Sequence, residues 1–549
     1  MSNIKVVVNG VEKEYPEGTT YYKISKDAKL EHELIGLKIN NEVIHMENVA
    51  KDGEVLEYFD VTDLSGYILY KNALKMIFEL ALNRTFPGMH VYFNHSVPKG
   101  MLASISDERI MSNDDIIKIR DEMKKIVEED HRFVRLTVKK KDAIEYYEKI
   151  KLKEKANNIR NISDYSVTLY QLDNLLNYYY SEMPYSSGVI NKYDIVYLWN
   201  NMLVLLWPSK RSKGEVPEYV HYDNIIETFT KGQKWLESLK IPYIANLNKL
   251  VSSGKISNFM DSCELVYNMQ IEKVARTISE KKDVKFVLIA GPSSSGKTTS
   301  CKRLANYLSA MGFEPICIST DDYFVNREDS PRDENGNYDF ECLECLDRKL
   351  LTEHLEKLLK GDVITLPKFD FITGLRETST KKISLKDNSI ILIEGLHALN
   401  DEMLPGIDKE LKYKVYLSPF IPLNIDRHNY ISTIDLRLIR RIVRDNRSRG
   451  YGVADTMKNW ESVRLGEEKN IFPFVHQADT IVNTALPYEV GVMKVYVEPL
   501  LHSVGITSEY YEEAQRLLKF FKQFFPITSE YVNNDSIIRE FIGGGNNDD

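Results

Sequence analysis

The feature that most constrains this chain is a glycine- and serine-rich segment, Gly291-Pro-Ser-Ser-Ser-Gly-Lys-Thr-Thr299. An apolar run at 285–290 precedes it, and residues 301–310 carry apolar side chains at helical spacing. A strand, a glycine loop and a helix in this order predict a phosphate-binding loop, in which backbone N–H groups and a helix N-terminus surround a polyphosphate. Lys297 is expected to reach the β- and γ-phosphates, and the Thr298 hydroxyl is expected to hold Mg²⁺. The flanking strand and helix argue against a chance match in an ordinary turn.

Length and composition limit the remaining possibilities. A chain of 549 residues is too long for one core, so several domains are expected. The composition, 43% hydrophobic and 28% charged, predicts a soluble globular protein, and the net charge of −9 argues against general nucleic-acid binding. Five cysteines are too few for a disulfide framework and favour a reducing cytoplasm. No apolar run approaches the roughly 20 residues that span a bilayer, so no membrane contact is expected.

From residue 281 onward, short apolar runs alternate with helical patterns. This alternation predicts an α/β domain at 281–490, with a five-stranded parallel sheet flanked by helices. The strands are predicted at 285–290, 314–320, 389–394, 413–418 and 479–483. Residues 491–549 are interpreted as a C-terminal helical extension, with an amphipathic helix at 508–525 and a frayed tail from Gly543.

Two acidic residues follow predicted strands, where ligands bind in open α/β sheets. Asp321 comes after 315–319 and is a candidate base for an acceptor hydroxyl. Glu394 ends the run 389–394 and is a candidate ligand of Mg²⁺. The alternative for the carboxylates of Asp321 and Asp322 is that they only cap a turn.

Arginine recurs at three- and four-residue spacing along 435–449, at Arg437, Arg440, Arg441, Arg444, Arg447 and Arg449. On a helix the first four lie along one face, apart from the apolar residues. Such a row suits a lid that closes over phosphates. An RNA-binding stripe and a plain solvated face are the alternatives.

Together these segments resemble the uridine kinase and phosphoribulokinase family over residues 285–485. Asp321 with Tyr323-Phe324 is similar to the family's Asp-Ser-Phe-Tyr segment. Residues 338–347 lie where uridine kinases carry Asn-Phe-Asp-His-Pro-x-Ala-Phe-Asp. Residues 368–376 are similar to Tyr-Asp-Phe-x-x-His-x-Arg, which contacts the pyrimidine and ribose, and Ile393-Glu-Gly395 also matches.

The resemblance implies a set of site residues. Those expected to act in catalysis are Asp321, Lys297, Arg440 and Arg444. Those expected to bind ATP are Gly291, Ser293, Ser294, Ser295, Gly296, Lys297, Thr298, Thr299, Arg441 and Arg449. Those expected to contact the acceptor are Asp321, Tyr323, Phe369, Asp370, Arg376 and Arg437, and those expected to hold Mg²⁺ are Thr298 and Glu394. Phe369 replaces the family's tyrosine, Gly374 its histidine, and Tyr451 the arginine that follows Arg-Gly. Lost polar groups change which acceptor is recognised.

The N-terminal half resembles parts of threonyl-tRNA synthetases. Residues 1–62 are similar to the TGS domain, a β-grasp module, through Asn9-Gly10, 16–20, 37–40 and 52–55. Residues 63–205 resemble the second additional domain of those synthetases, and residues 206–280 are interpreted as a helical connector. The synthetases' metal-binding editing residues align with Asn72, Met76, Tyr179 and Met183. None of these four replaces a histidine or cysteine ligand, so editing chemistry is not expected.

The sequence therefore predicts an ATP- and Mg²⁺-dependent kinase whose acceptor is the 5′-hydroxyl of uridine or a related nucleoside. A kinase of the same family with a non-nucleoside acceptor is one alternative. The other is an RNA- or ribosome-associated regulator that uses the TGS-like module, with tRNA or ribosome contact through the N-terminal domains. Whether the chain forms a homo-oligomer is left open.

Overall fold

The computed structural model describes residues 2–106, 109–332, 336, 338–370 and 373–546. The chain begins with a mixed five-stranded sheet of order β2-β1-β5-β3-β4, in which β1 and β5 are parallel. In β1, Ile4, Val6 and Val8 are buried while the residues between them face outward, because side chains alternate across a strand. The elements are β1 Asn3–Val8, β2 Val11–Pro16, α1 Tyr21–Ile24, β3 Gly36–Ile39, β4 Glu42–Val43 and β5 Val55–Phe59.

The next region has two antiparallel sheets, of order β11-β12-β7-β6 and β10-β9-β8. Its elements are α2 Leu64–Thr85, β6 His90–Val97, β7 Gly100–Ser106, α3 Asn113–Glu128, β8 Val134–Lys139, α4 Lys140–Lys149, α5 Lys153–Asn161, β9 Ser166–Leu172, β10 Leu175–Tyr178, β11 Asp194–Tyr197 and β12 Met202–Leu206. Apolar residues recur at helical spacing in 69–82 and 114–127, and these stretches lie within α2 and α3. The longer α2 is buried around most of its circumference, and a capping box between Ser112 and Asp115 begins α3.

Three helices lead from this region to the phosphate-binding loop: α6 Asp223–Ser238, α7 Ile244–Ser252 and α8 Ile256–Glu280. Helix α8 packs against α9, the helix that follows the loop, and contributes Tyr267, Ile271 and Val274 to the largest apolar cluster. The connector is therefore part of the core of the α/β region.

The α/β region contains the predicted parallel sheet, of order β14-β17-β13-β18-β21, so the prediction of five parallel strands is confirmed. Strands β13 and β17 are buried along their whole length, as parallel strands covered on both faces are. The elements are β13 Phe286–Ala290, α9 Lys297–Ala310, β14 Glu314–Ser319, α10 Arg348–Leu359, β15 Ile364–Asp370, β16 Leu375–Ile383, β17 Ser389–Glu394, β18 Lys412–Ser418, β19 Asn424–Asp426, β20 Asn429–Tyr430, α11 Thr433–Ser448, α12 Val453–Asn470, β21 Thr480–Asn483, α13 Glu489–His502, α14 Tyr511–Phe521 and α15 Arg539–Ile542.

The C-terminal residues return to the phosphate-binding loop, although the sequence suggested an extension with a frayed tail. Ile537, Ile538 and Phe541 are fully buried. The amide of Asn546 donates to the carbonyl of Asn534 at 2.9 Å, so the described part of the tail is hydrogen-bonded, contrary to the prediction. Residues 547–549 lie outside the described residues.

The four positions aligned with the synthetase editing ligands are all buried: Asn72, Met76, Tyr179 and Met183. The β19–β20 hairpin of the α/β region packs next to them. His428 accepts a hydrogen bond from Lys75 through its carbonyl at 3.0 Å, and Asn177 lies 2.8 Å from its Nδ1. Helix α2 and the β19–β20 hairpin therefore meet beside the positions that align with the editing ligands.

A buried ion pair fixes the same hairpin. Lys155 of α5 and Asp426 of β19 are both fully buried, and their Nζ and Oδ1 atoms are 3.0 Å apart. The same Oδ1 accepts the amide of His428 at 2.8 Å. Since an unpaired buried charge is costly, this pair specifies how the hairpin docks. In the part of the chain that the structure describes, no helix has the length and apolar character that a bilayer span requires.

Candidate active site

Three strands of the parallel sheet end side by side. In the strand register, Glu394 of β17 pairs with Ile289 of β13 on one side and with Ser319 of β14 on the other. The phosphate-binding loop follows β13 directly, and Asp321 comes two residues after Ser319. The sheet therefore brings the loop, Glu394 and Asp321 to one edge, as the sequence predicted.

The loop has the backbone shape that its glycines permit. Gly296 precedes the first turn of α9 with a φ of +85°, and Ser294 also has a positive φ, of +60°. Lys297 extends back across the loop and donates to the carbonyls of Gly291 and Pro292, at 3.0 and 3.3 Å. A loop of this shape directs its N–H groups at a common centre.

Two hydroxyls in the loop are suited to an anion. Ser294 and Ser295 are almost fully buried, and their Oγ atoms have no hydrogen-bond partner among the described residues. Buried hydroxyls normally have one. A β-carbon on Gly291 would lie 2.5 Å from the carbonyl oxygen of Leu417, so only glycine fits there. These observations fit a bound polyphosphate.

The predicted metal ligands are in contact with each other. Thr298 Oγ1 donates to Glu394 Oε1 at 3.2 Å, and Ser319, which the sequence reasoning missed, donates to the same oxygen at 3.1 Å. Burial, together with the charge of Asp321, raises the pKa of Glu394 to about 7, although the charge of Lys297 acts to lower it. A buried carboxylate beside hydroxyl groups fits Mg²⁺, which prefers oxygen ligands and keeps several waters.

Asp321 lies in a short 3₁₀ turn, Thr320–Tyr323, whose N-cap is Ser319. Its neighbour Asp322 accepts a hydrogen bond from the amide of Phe369 at 3.3 Å. Asp322 therefore has a structural role, but it links the turn to β15 and does not cap a turn as the alternative had it. Asp321 stays the candidate base.

Tyr323 was expected to contact the acceptor, but the structure places it elsewhere. Its side chain is fully buried in an apolar cluster with Leu351 and Leu355 of α10. Its hydroxyl lies 3.0 Å from Nδ1 of His354. Tyr323 therefore attaches the turn to α10, and we remove it from the acceptor set.

Helix α11 is packed into the core, so two of the arginines expected on a lid, Arg437 and Arg440, are buried. Arg440, expected in catalysis, is fully buried, and all of its nitrogens are bound by protein. Its Nε donates to Glu489 at 2.7 Å, and its other two nitrogens donate to the carbonyls of Ser294 and Thr484, at 3.2 and 2.8 Å. Arg440 therefore braces the phosphate-binding loop from behind.

Arg437, expected to contact the acceptor, has a similar structural position. It is 2% exposed, forms a two-pronged ion pair with Glu467 and donates to the carbonyl of Ser293 at 2.9 Å. The sequence did not reveal Glu467 and Glu489, because they lie 30 and 49 residues away. We correct both assignments for the same reason: each guanidinium is buried, and all three of its nitrogens are already hydrogen-bonded to protein.

The other predicted arginines are less buried than Arg437 and Arg440. Arg441 donates to the Ser293 hydroxyl at 2.7 Å. Arg441, Arg444 and Arg449 each pair with Asp445, at 3.2, 2.7 and 3.7 Å. Burial lowers the pKa of Arg449 to about 10. This group can supply positive charge near a phosphate.

Sequence reasoning also missed Glu341. Burial raises the pKa of Glu341 to about 7, and the nearby charges of Arg441 and Lys297 act to lower it. Its carboxylate therefore lies near the lysine of the phosphate-binding loop. It packs directly against Gly466, where a β-carbon would clash with it. Glu341 belongs to the segment 338–347, which resembles a uridine kinase motif. That resemblance is the sequence feature that could have identified Glu341 as a site residue.

The β15–β16 hairpin carries the remaining residues that the sequence predicted to contact the acceptor. Arg376 pairs with Asp347 at 2.9 Å, and Phe369 packs edge-on against Phe324 with ring centroids 5.7 Å apart. Asp370 ends β15 and is half-buried. Within the quoted motif, residues 371 and 372 lie outside the described residues.

Gly374, which stands where uridine kinases have histidine, has a φ of +74°. A β-carbon there would lie 2.8–2.9 Å from the side chain of Arg327. Both the backbone and this neighbour disfavour a histidine. Tyr451, a further departure from the family pattern, is exposed.

Comparison with known proteins agrees with this geometry. Residues 286–489 match the family described as Phosphoribulokinase / Uridine kinase. A uridine kinase from Bacillus pumilus is 32% identical over 197 residues, which cover 35% of this chain and 83% of that protein. A uridine kinase from Mycoplasma genitalium is 31% identical over 220 residues, which cover 40% of this chain and 94% of that protein.

A solved structure described as a possible uridine kinase from Bacillus stearothermophilus is 24% identical, with a TM-score of 0.27. That match covers 39% of this chain and 97% of the other chain. A TM-score this low does not support a structural assignment. The two sequence relatives carry the assignment, because the likeness extends over most of each of them. Through its residues 286–489, this chain belongs to the phosphoribulokinase/uridine kinase family.

Proposed function

We propose that this protein is an ATP-dependent kinase that transfers the γ-phosphate to a hydroxyl group of a small acceptor. One observation above all supports the proposal: β13, β14 and β17 end side by side, with Lys297, Glu394 and Asp321 at the same edge. Phosphoryl transfer requires a phosphate cradle, a metal ligand and a base for the acceptor, and these three residues can supply them.

Each residue has a defined task in this proposal. Lys297 and the N–H groups of the phosphate-binding loop orient the phosphates. Thr298 and Glu394 would hold Mg²⁺, which when bound neutralises phosphate charge. Asp321 accepts the proton of the acceptor hydroxyl as the new O–P bond forms. Arg441, Arg444 and Arg449 stabilise the negative charge of the transferring group.

The acceptor that we propose to test first is the 5′-hydroxyl of uridine or a related nucleoside, since the relatives are uridine kinases. Phe369, Asp370 and Arg376 would line its pocket. A non-nucleoside acceptor is a second candidate, and Gly374 favours it. In the family, a histidine at this position contacts the pyrimidine, but this chain has Gly374 there, with Arg327 packed against it. The loss of a hydrogen-bonding group changes specificity strongly.

A screen for acceptor-dependent ADP release would test the proposal. The full chain is incubated with ATP and Mg²⁺ and with nucleosides, pantothenate or sugar phosphates in turn. We expect at least one acceptor to raise ADP release, and the Lys297→Ala variant to lower that rate by at least about 100-fold, because its charge acts in the transition state.

Two results would contradict the proposal. One is equal turnover in the Lys297→Ala variant. The other is salt-sensitive binding to tRNA without acceptor-dependent ADP release, which would instead favour an RNA-associated regulator.

A further inference from the structure

The C-terminal segment, defined here as residues 535–546, covers the first turn of α9. The carboxylate of Glu540 accepts two hydrogen bonds from Thr299, the last residue of the phosphate-binding loop. The Thr299 hydroxyl is 2.6 Å from Glu540 Oε2, and the Thr299 amide is 3.3 Å from the same oxygen. An acidic side chain therefore occupies donors of a loop built for anions.

Apolar contacts hold the segment against the loop. Ile537 is fully buried and lies where a β-carbon on Gly296 would point. Phe541 is also fully buried, with its ring 4.8 Å from the guanidinium carbon of Arg440. The segment thus contacts both the loop and the arginine that braces it.

Polar contacts attach the same segment to α11 and α9. Arg447 of α11 donates to the carbonyls of Glu540 and Phe541, each at 3.2 Å. Arg303 of α9 pairs with Asp535 at 3.2 Å. These contacts position the Glu540 carboxylate over Thr299.

A nucleotide bound in this loop would need donors that Glu540 now takes. Backbone N–H groups of such a loop bind the α- and β-phosphates of a nucleotide, and the start of the helix favours negative charge. The Thr299 amide has one hydrogen to donate. A phosphate and a carboxylate at this position would also repel each other.

We propose that the C-terminal segment is an autoinhibitory element, and that a nucleotide binds by displacing Glu540 from Thr299. This inference rests on the proposed function, since it takes the phosphate-binding loop to be a nucleotide site. The apparent affinity for the nucleotide is then the intrinsic affinity multiplied by the fraction of molecules in which Glu540 is released.

The test compares Mg²⁺–ADP binding by isothermal titration calorimetry in the full-length protein and its variants. In Glu540→Ala we expect the dissociation constant to fall on the order of tenfold, because a charge-assisted competitor is removed. Glu530→Ala is the matched control: Glu530 is an exposed glutamate nearby in sequence, and its loss should leave the constant unchanged. Equal or weaker binding in Glu540→Ala would overturn the proposal.

A second measurement does not depend on a variant. Hydrogen exchange of the amides in residues 536–546 should become faster when the wild-type protein is saturated with Mg²⁺–ADP. Unchanged or slower exchange would overturn displacement even if the protein binds the nucleotide well. Failure of both wild type and Glu540→Ala to bind ADP would overturn the proposed function together with this inference, whereas binding without displacement overturns the inference alone.

Discussion

Asp321 and Asp322 are neighbours with different surroundings. Asp322 accepts the amide of Phe369, and burial raises its pKa. Its contact links the turn after β14 to the β15–β16 hairpin. Asp321 follows Ser319 at the edge where the phosphate-binding loop and Glu394 also lie. Two residues of the same type can therefore be assigned different tasks, one structural and one chemical.

This difference leads to a prediction about the two carboxylates. Asp321→Asn should lower acceptor-dependent turnover by about 100-fold or more while ADP affinity is kept, because an amide cannot take the acceptor proton. Asp322→Asn is the matched control and should keep most of the turnover, since the amide oxygen can still accept the Phe369 amide. Steady-state rates and ADP titrations measure both. A loss of ADP affinity alone in Asp321→Asn would contradict the role of a base.

At the scale of an element, α11 supports the phosphate-binding loop through its buried face. Arg437 and Arg440 donate to loop carbonyls, and each is paired with a buried glutamate. The helix begins at a Ser432 cap that accepts the amides of Ile434 and Asp435. Its exposed side presents Arg441 and Arg444. One helix therefore provides both the support of the loop and the charge proposed to act on the substrate.

The two faces of α11 should respond differently to substitution. Arg440→Met should destabilise the protein by about 3–5 kcal/mol, because it leaves Glu489 buried without its partner. Arg441→Met should cost much less stability and should lower turnover, because Arg441 is partly exposed and lies beside the Ser293 hydroxyl. Chemical denaturation and rate measurements on both variants test this. Equal loss of stability in the two variants would contradict the division.

At the scale of the whole molecule, the N-terminal regions and the α/β region share buried polar contacts. One is the β19–β20 hairpin with its Lys155–Asp426 pair. A second buried contact is aromatic: the ring of His95 of β6 stacks on Phe229 of α6, with ring centroids 4.2 Å apart. Both ring nitrogens of His95 are buried and have no hydrogen-bond partner among the described residues. Since buried charge and unpaired polar groups are costly, this junction is sensitive to protonation.

His95 gives a prediction for stability against pH. Burial lowers its pKa from 6.5 to about 3. Below pH 6.5 the unfolded chain binds a proton at this residue and the folded protein does not, so stability falls as the pH falls from 6.5 toward 3. At pH 5 the loss is about 2 kcal/mol, since one pKa unit corresponds to about 1.36 kcal/mol.

The His95→Phe variant should not show this loss. Urea unfolding of wild type and variant at pH 7.5 and pH 5 gives the difference directly, and other titrating groups cancel in the comparison. From pH 7.5 to pH 5, the free energy of unfolding should fall by about 2 kcal/mol more in the wild type than in the variant. The same dependence on pH in both proteins would contradict the assignment.

The sequence alone determined the features that depend on neighbouring residues. The phosphate-binding loop, the five parallel strands and the acidic residues at strand ends follow from local pattern, because glycine conformation and apolar periodicity act within a few residues. The same patterns located Asp321, Lys297, Thr298 and Glu394 at one edge of the sheet.

Only the tertiary structure decided which polar groups are already used by the protein itself. Periodicity put Arg440 and Arg441 on one face, but Glu489 pairs with Arg440 from a distant element. The contact of Thr299 with Glu540 spans 241 residues. Burial and pairing across such separations depend on how the elements pack, and no local pattern encodes that.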